Sequence, residues 1–260
     1  MIKNLKIYKS MIHISFKSMS MYRTTTFLVL IFGIIFTFID VITTLIFFQY
    51  TDHLAGYSFF EVLLIIGIYN SVQNLYQIFF INAHEDLSDK VIEGELDYDL
   101  LRPINTNFYI NYRTIDIPSI FNLIVSIIII IYSTLHINLS YLDYISVILI
   151  LIVGTILYSY INQLIVNLCF WIEKPGILLG VPEYLFDLVS RPSGIYPKYI
   201  SFVLTFIIPM FLITNSSVYA IKNDYPYTII FFILLIYIIL FKLIINYQWR
   251  KGILKYNSTN

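Results

Sequence analysis

The sequence predicts an all-α, polytopic membrane protein with six transmembrane helices, and three observations carry that expectation. Of its 260 residues 58% are hydrophobic and 12% charged, with a mean hydropathy of +0.79, outside the range of an ordinary globular domain. A bilayer core about 30 Å thick needs roughly 20 apolar residues as helix. Runs of that kind occupy residues 27–49, 58–82, 117–135, about 143–171 and 226–247. Finally, Lys3, Lys6, Lys9, Lys17 and Arg23 precede the first run, and Arg250, Lys251 and Lys255 follow the last. Because Lys and Arg stay on the cytoplasmic side, both termini are expected inside, and the number of crossings is even.

Residues 1–24 read as an amphipathic interfacial helix. Leu5, Tyr8, Met11, Ile12, Phe16, Met19 and Tyr22 recur every three or four positions, opposite Lys6, Lys9, His13 and Lys17. Such a helix lies in the headgroup plane; the alternative is a cytoplasmic arm without fixed structure. No apolar core followed by a small-residue cleavage site is present, so a cleaved signal peptide is not expected. Residues 25–248 follow as the membrane domain and 249–260 as a basic cytoplasmic tail.

The loops TDHLAGY and HINLSY, after the first and third runs, contain no Lys or Arg and are assigned outside. The stretch HEDLSDKVIEGELDYDLLRPIN, residues 84–105, is then cytoplasmic, and it holds seven of the sixteen carboxylates. Asp and Glu do not set orientation, so topology does not explain it. Helical spacing puts Leu87 and Val91 on one face and Leu96 and Leu100 on another turn, with Gly94 as a break and Pro103 as a stop. Two roles fit: a docking element for a soluble partner, or a solvated loop whose charges keep it out of lipid.

Residues 172–225 admit two topologies. Counting Lys174, Arg191 and Lys198 inside makes 200–220 the fifth crossing. The other reading turns the chain at IEKPG, crosses with 176–194, and lets 198–220 dip into the outer leaflet as a re-entrant hairpin bent near Pro209. Glu183, Asp187 and Arg191 are spaced by four, so on a helix they can form a self-neutralising ladder that eases the second route. Asp40 lies in mid-span, where a carboxylate costs about 2.5–3.5 kcal/mol; it must be protonated or paired away from lipid.

Several chemistries are excluded. None of the nine glycines is followed by Lys, so there is no G-x-x-x-x-G-K-[ST] phosphate loop. H-E-x-x-H, C-x-x-C and G-x-S-x-G are also missing, and Cys169 is alone in an apolar run. The histidines, His13, His53, His84 and His136, lie far apart at membrane boundaries or in loops. No catalytic residue and no metal site is therefore assigned, and nucleic acid is not an expected partner. Polar residues do form stripes inside the spans: Asn70, Gln73, Asn74 and Gln77 on the second, and Ser159, Gln163 and Asn167 on the fourth. They serve either interhelical hydrogen bonds, worth about 0.6 kcal/mol each, or a substrate path.

The string IEGELDYDLLRPIN resembles the signature of a permease family among the type-2 ATP-binding-cassette transporters, G-E-L-D-x-x-L-L-R-P-x-N, lying between the second and third spans. Gly94, Glu95, Leu96, Asp97, Leu100, Leu101, Arg102, Pro103 and Asn105 match it. Phe170 and Trp171 at the end of the fourth span, SRPSGIYPKYISFVLTFIIPMF, and the tail WRKGILKY with Ser258 are similar to further family patterns in the same order. The Pro of SRPSG comes one position early, which leaves the local turn open. The resemblance covers essentially the whole chain. It implies a six-helix exporter permease, pairing with a second copy or a sister permease and with a separate ATPase subunit; the Ile-, Tyr- and Asn-heavy usage points to an AT-rich bacterial genome and hence a plasma membrane. That ATPase carries the ATP and Mg; this chain needs no cofactor and is not an enzyme. The resemblance further implies that residues 84–105 form a coupling helix, with Gly94, Glu95, Leu96, Asp97, Leu100, Leu101, Arg102 and Pro103 docking the ATPase. It also favours 176–194 as the fifth crossing. Two other classes remain: an ATPase-independent channel or sensor subunit, and an integral-membrane lipid-modifying enzyme, for which the scattered His, Asp and Glu offer no cluster.

Overall fold

The computed structural model describes residues 15, 17, 21, 23–101, 115–172, 176–222 and 224–256. Most of the amphipathic stretch at 1–24, together with Arg102, Pro103 and Asn105, lies outside the described residues. Ser15 is buried, and its hydroxyl accepts a hydrogen bond from the Ile115 backbone N–H at 3.1 Å.

Among the described residues the fold is helical without a strand, apart from one isolated bridge pairing Leu54 with Tyr57. In chain order the helices are α1 (Arg23–Phe48), α2 (Phe59–Tyr76), α3 (Asn82–Glu93), α4 (Asp97–Leu100), α5 (Pro118–His136) and α6 (Tyr141–Val166). Then come α7 (Gly176–Leu179), α8 (Val181–Leu188), α9 (Lys198–Phe202), α10 (Met210–Thr214), α11 (Ser216–Ile221) and α12 (Tyr227–Lys255). A π-helical turn, Gln77–Ile81, joins α2 to α3 without a break, and a 3-10 turn, Asn167–Phe170, ends α6.

Among the described residues, five helices are long and apolar enough to cross a membrane: Arg23–Phe48, Phe59–Glu93, Pro118–His136, Tyr141–Phe170 and Tyr227–Lys255. They coincide with the five apolar runs of the sequence. Their starts follow from local chemistry. Ser58 and Ser140 open α2 and α6 with capping boxes, the carboxylates of Glu61 and Asp143 accepting from the Ser58 and Ser140 backbone N–H groups at 2.7 and 2.6 Å. Pro118 opens α5 and Pro226 precedes α12, where a missing N–H costs nothing.

α2 is the centre of the bundle: every residue from Val62 to Val72 is buried, against α1, α5, α6, α10 and α11. The outer helices invert the water-soluble pattern. α1 buries Thr37 and Thr44 while Phe27, Phe32, Phe36 and Phe38 face outward, and α12 buries little besides Ile230, Leu234, Phe241 and Gly252. Apolar outer faces with polar inner ones are what a lipid solvent selects, because polar groups need protein partners there.

Residues 176–221 form no single long helix. Pro182 restarts the chain as α8, and Pro192 and Pro197 bracket a short 3-10 turn. α9 and a following π turn, Val203–Ile207, end at Pro209. The chain doubles back there, so Ser193 lies against residues of α11 and the turn before it. Its N–H donates to Asn215 Oδ1 at 3.0 Å, and its hydroxyl meets that of Tyr219 at 2.5 Å. Tyr237 of α12 reaches the Phe206 carbonyl at 2.7 Å, and Lys222 reaches the Gly56 carbonyl at 2.6 Å.

Candidate functional site

Two places carry polar chemistry. The first is the α3–α4 end. α3 stops at Gly94, whose φ of +76° is the left-handed conformation that glycine adopts without a Cβ clash. The Glu95 N–H then closes onto the Lys90 carbonyl at 2.9 Å. The reversal lays α4 beside α3, where Lys90 Nζ and Asp99 Oδ2 pair at 2.5 Å with Asp99 almost fully buried.

This turn also decides where the apolar residues go. Leu87, Val91 and Leu96 enter one buried cluster with Val166, Cys169 and Phe170 from the end of α6, flanked by Leu100, Leu179, Trp249 and Tyr256. Gly252 packs directly against this cluster: a Cβ there would sit 2.4 Å from a ring carbon of Phe170. The Leu96 backbone N–H donates to the Tyr256 hydroxyl at 3.1 Å. Burial first, and the nearby Asp97 carboxylate second, raise the pKa of that hydroxyl, so it stays neutral.

Of the docking residues expected from the sequence, Gly94 forms the turn and Leu96 is fully buried. Asp97 and Leu100 are half-buried, whereas Glu95 and Leu101 are exposed, Leu101 by 83%. Arg102 and Pro103 lie outside the described residues. The outward face is completed by residues the periodicity did not single out: Tyr98, 71% exposed, and Ile92, among Glu85, Asp89 and Glu93. The signal was available, since Tyr98 lies three positions before Leu101 on the same side of a helical turn.

The second place is at membrane depth. Asn70, Asn74 and Gln77 bond to neighbouring helices: Asn70 Oδ1 accepts from Thr37 at 3.2 Å, Asn74 Nδ2 donates to Ser126 at 3.1 Å, and Gln77 Oε1 accepts from Ser119 at 3.0 Å. In α6 the Ser159 hydroxyl turns back to its own helix. Gln163 donates to Asn167, which donates to Gln248 of α12 at 3.3 Å. Gln73 faces a carboxylate of the 176–194 segment, with its Nε2 3.5 Å from Glu183 Oε1.

The expected Glu183–Asp187–Arg191 ladder does not form. α8 ends at Leu188, so Arg191 lies beyond the helical register that would align it. Each member instead finds a partner across the bundle. Arg191 Nη2 pairs with Asp40 Oδ1 at 3.1 Å and also bonds Thr44; Asp187 accepts from the Tyr69 hydroxyl at 2.5 Å. Asp40 is thus paired, as its depth requires. Among the described residues no group of His, Cys, Asp and Glu is arranged to hold a metal.

Against known proteins, the family model described as ABC-2 family transporter protein matches residues 32–260. No curated protein and no solved structure matches the chain.

Proposed function

The chain belongs to the ABC-2 family of transporter proteins, and from that premise we propose that it is the permease subunit of an exporter, driven through residues 84–105 by a separate ATPase. It is a multi-pass membrane protein and a transport component. In the proposed assembly ATP and Mg2+ sit on the ATPase, a second permease copy or sister completes the path, both termini face the cytoplasm of a bacterial cell, and export as the direction rests on the family resemblance.

One observation carries the coupling: the acidic α3–α4 turn is fastened to the ends of two spans at once, through Phe170 after α6 and Tyr256 after α12. A push on its exposed face, Tyr98 and Leu101 among Glu93 and Glu95, therefore reaches α6 and α12 as a rigid displacement rather than dissipating in a loop. The charges suit a basic cleft on the ATPase.

For the topology we take six crossings, the fifth made by residues 176–194, with 198–220 entering the outer leaflet and returning. The reversal at Pro209 supports this, as does Lys222 reaching Gly56 in the α1–α2 turn. The substrate path follows the face of α2 that presents Gln73, where Glu183 and Asp187 are exposed. Asn70, Asn74, Gln77, Ser159, Gln163 and Asn167 act there as framework.

The test is co-purification. The tagged chain is extracted from native membranes in mild detergent and its companions identified by mass spectrometry, for wild type and Arg102→Glu. A Walker-motif ATPase recovered with wild type and lost with the variant is the expected result. Recovery of the chain alone, with its cellular activity intact, would point to a channel or sensor.

A further inference from the structure

A cavity of about 200 Å3 opens between α2, α3, α6 and α8 and is lined by Tyr76, His84, Glu85, Tyr158, Asn162 and Glu183. Two features set its chemistry. The carboxylates come from different elements, Glu85 from α3 and Glu183 from α8, and no Lys or Arg is among the described residues that line the space. Among the described residues, the carboxylates of Asp89, Asp86, Glu183 and Asp116 act on Glu85 with like charge.

The second feature is aromatic. Tyr76 and Tyr158 meet edge to face with centroids 4.8 Å apart, and Tyr76 lies 5.5 Å from the His84 ring. The rings continue away from the cavity: Tyr158 stacks on Phe186 at 4.0 Å, and Phe186 lies 5.1 Å from Tyr69, whose hydroxyl holds Asp187. Carboxylates and aromatic rings thus run side by side from Glu85 to Asp187.

Aromatic faces attract cations through their quadrupoles, by about 0.5–1 kcal/mol when exposed and about 2 or more when desolvated. Glu85 and Glu183 are exposed at the mouth of the cavity, so their Coulombic attraction adds to that of the rings at a strength reduced by solvent. An anion meets the opposite: like charge from both carboxylates and the negative faces of the rings. A neutral amphiphile gains nothing from the acid pair.

We propose that this cavity binds a small organic cation, a protonated or quaternary amine whose charge lies between Glu85 and Glu183 and whose substituents lie against Tyr76 and Tyr158. That the cation is cargo rests on the permease assignment; that it binds does not.

The probe is phenyltrimethylammonium, with tert-butylbenzene as its neutral isostere. Binding to the full chain in lipid nanodiscs, without nucleotide or ATPase, is followed by ligand-observed NMR. The expected result is selective binding of the cation, weakened about tenfold by Glu183→Gln or Glu85→Gln, retained by Glu183→Asp, and unchanged by Asp52→Asn in the distant α1–α2 turn. Equal binding of the neutral isostere, or indifference to both Gln variants, would overturn the site. Displacement by equimolar KCl would overturn the organic part of the assignment. Absence of any ATPase from the wild-type co-purification would overturn the permease coupling and leave this binding result standing.

Discussion

The backbone N–H of Leu96 donates to the hydroxyl of Tyr256 at 3.1 Å, joining two residues 160 positions apart in the chain. Leu96 is in the reversal between α3 and α4, and Tyr256 caps the end of α12. The bond satisfies a buried donor that the turn would otherwise leave without an acceptor. It also makes the last helix sensitive to whatever moves the acidic segment.

Tyr256→Phe keeps the ring and removes the acceptor. We expect a stability loss of about 0.5–1.5 kcal/mol and a several-fold fall in the permease-stimulated rate of the partner ATPase, with co-purification retained. An unchanged stimulated rate would show that the tail plays no part in coupling. The raised pKa adds a sign. The wild-type advantage over Tyr256→Phe is fully present below the ordinary tyrosine value of about 10. It disappears as pH rises through the higher folded value, because the phenolate is the form that folding disfavours. Thermal melts of both proteins across that range measure it.

Inner and outer faces of the same short segment should respond differently. Leu96→Ala empties part of a closed cluster and is expected to cost about 2–5 kcal/mol, visible as a lowered Tm of the chain alone. Tyr98→Ala changes an exposed side chain and is expected to leave Tm within the range of surface substitutions, about 0.5 kcal/mol, while ATPase recovery falls. If Tyr98→Ala leaves recovery intact in a chain that otherwise yields the ATPase, the exposed face is not the contact.

Gly252 tests how tightly the two span ends are joined. A Cβ there falls within 2.4 Å of Phe170 and would displace the ring from its place between Trp171 and Trp249. Gly252→Val is expected to destabilise by about 1–3 kcal/mol through overpacking. Phe170→Leu in the same chain should restore part of the loss, because the clash is with the ring. Additive losses in the double variant, read from thermal melts, would exclude that contact as the cause.

The long helices were legible because bilayer thickness fixes their length, and each apolar run became a helix within a few residues of its sequence bounds at the starts. Residues 176–221 were less so. Four prolines divide them, and a window scan sees apolar content but not where a missing N–H forces a restart. The α3–α4 cluster was legible only in part. Spacing puts Leu87 with Val91 on one face and Leu96 with Leu100 on another turn after a break at Gly94, but it does not show that the positive φ at Gly94 folds the second turn onto the first. Polar stripes have the same limit. Spacing placed Asn70 and Gln73 together, yet adjacent turns face different neighbours, so one meets Thr37 and the other Glu183.

Arg191 and Asp40 offer the sharpest test of membrane-depth charge. Their side chains pair at 3.1 Å, both largely shielded, and Arg191 also bonds Thr44. Arg191→Gln leaves Asp40 facing the bundle without its countercharge. By the insertion cost of a lone Asp at a helix centre, the loss is expected to be about 2.5–3.5 kcal/mol. Asp40→Asn in the same chain removes the stranded charge and should recover most of that, because a neutral amide pair needs only hydrogen bonds. The comparison is a double-mutant cycle by thermal unfolding in nanodiscs. Recovery in the double variant identifies the pair as the source of the effect. A double variant as unstable as the sum of both singles would mean that Arg191 acts through Thr44 and the local backbone, with Asp40 neutral in the folded protein.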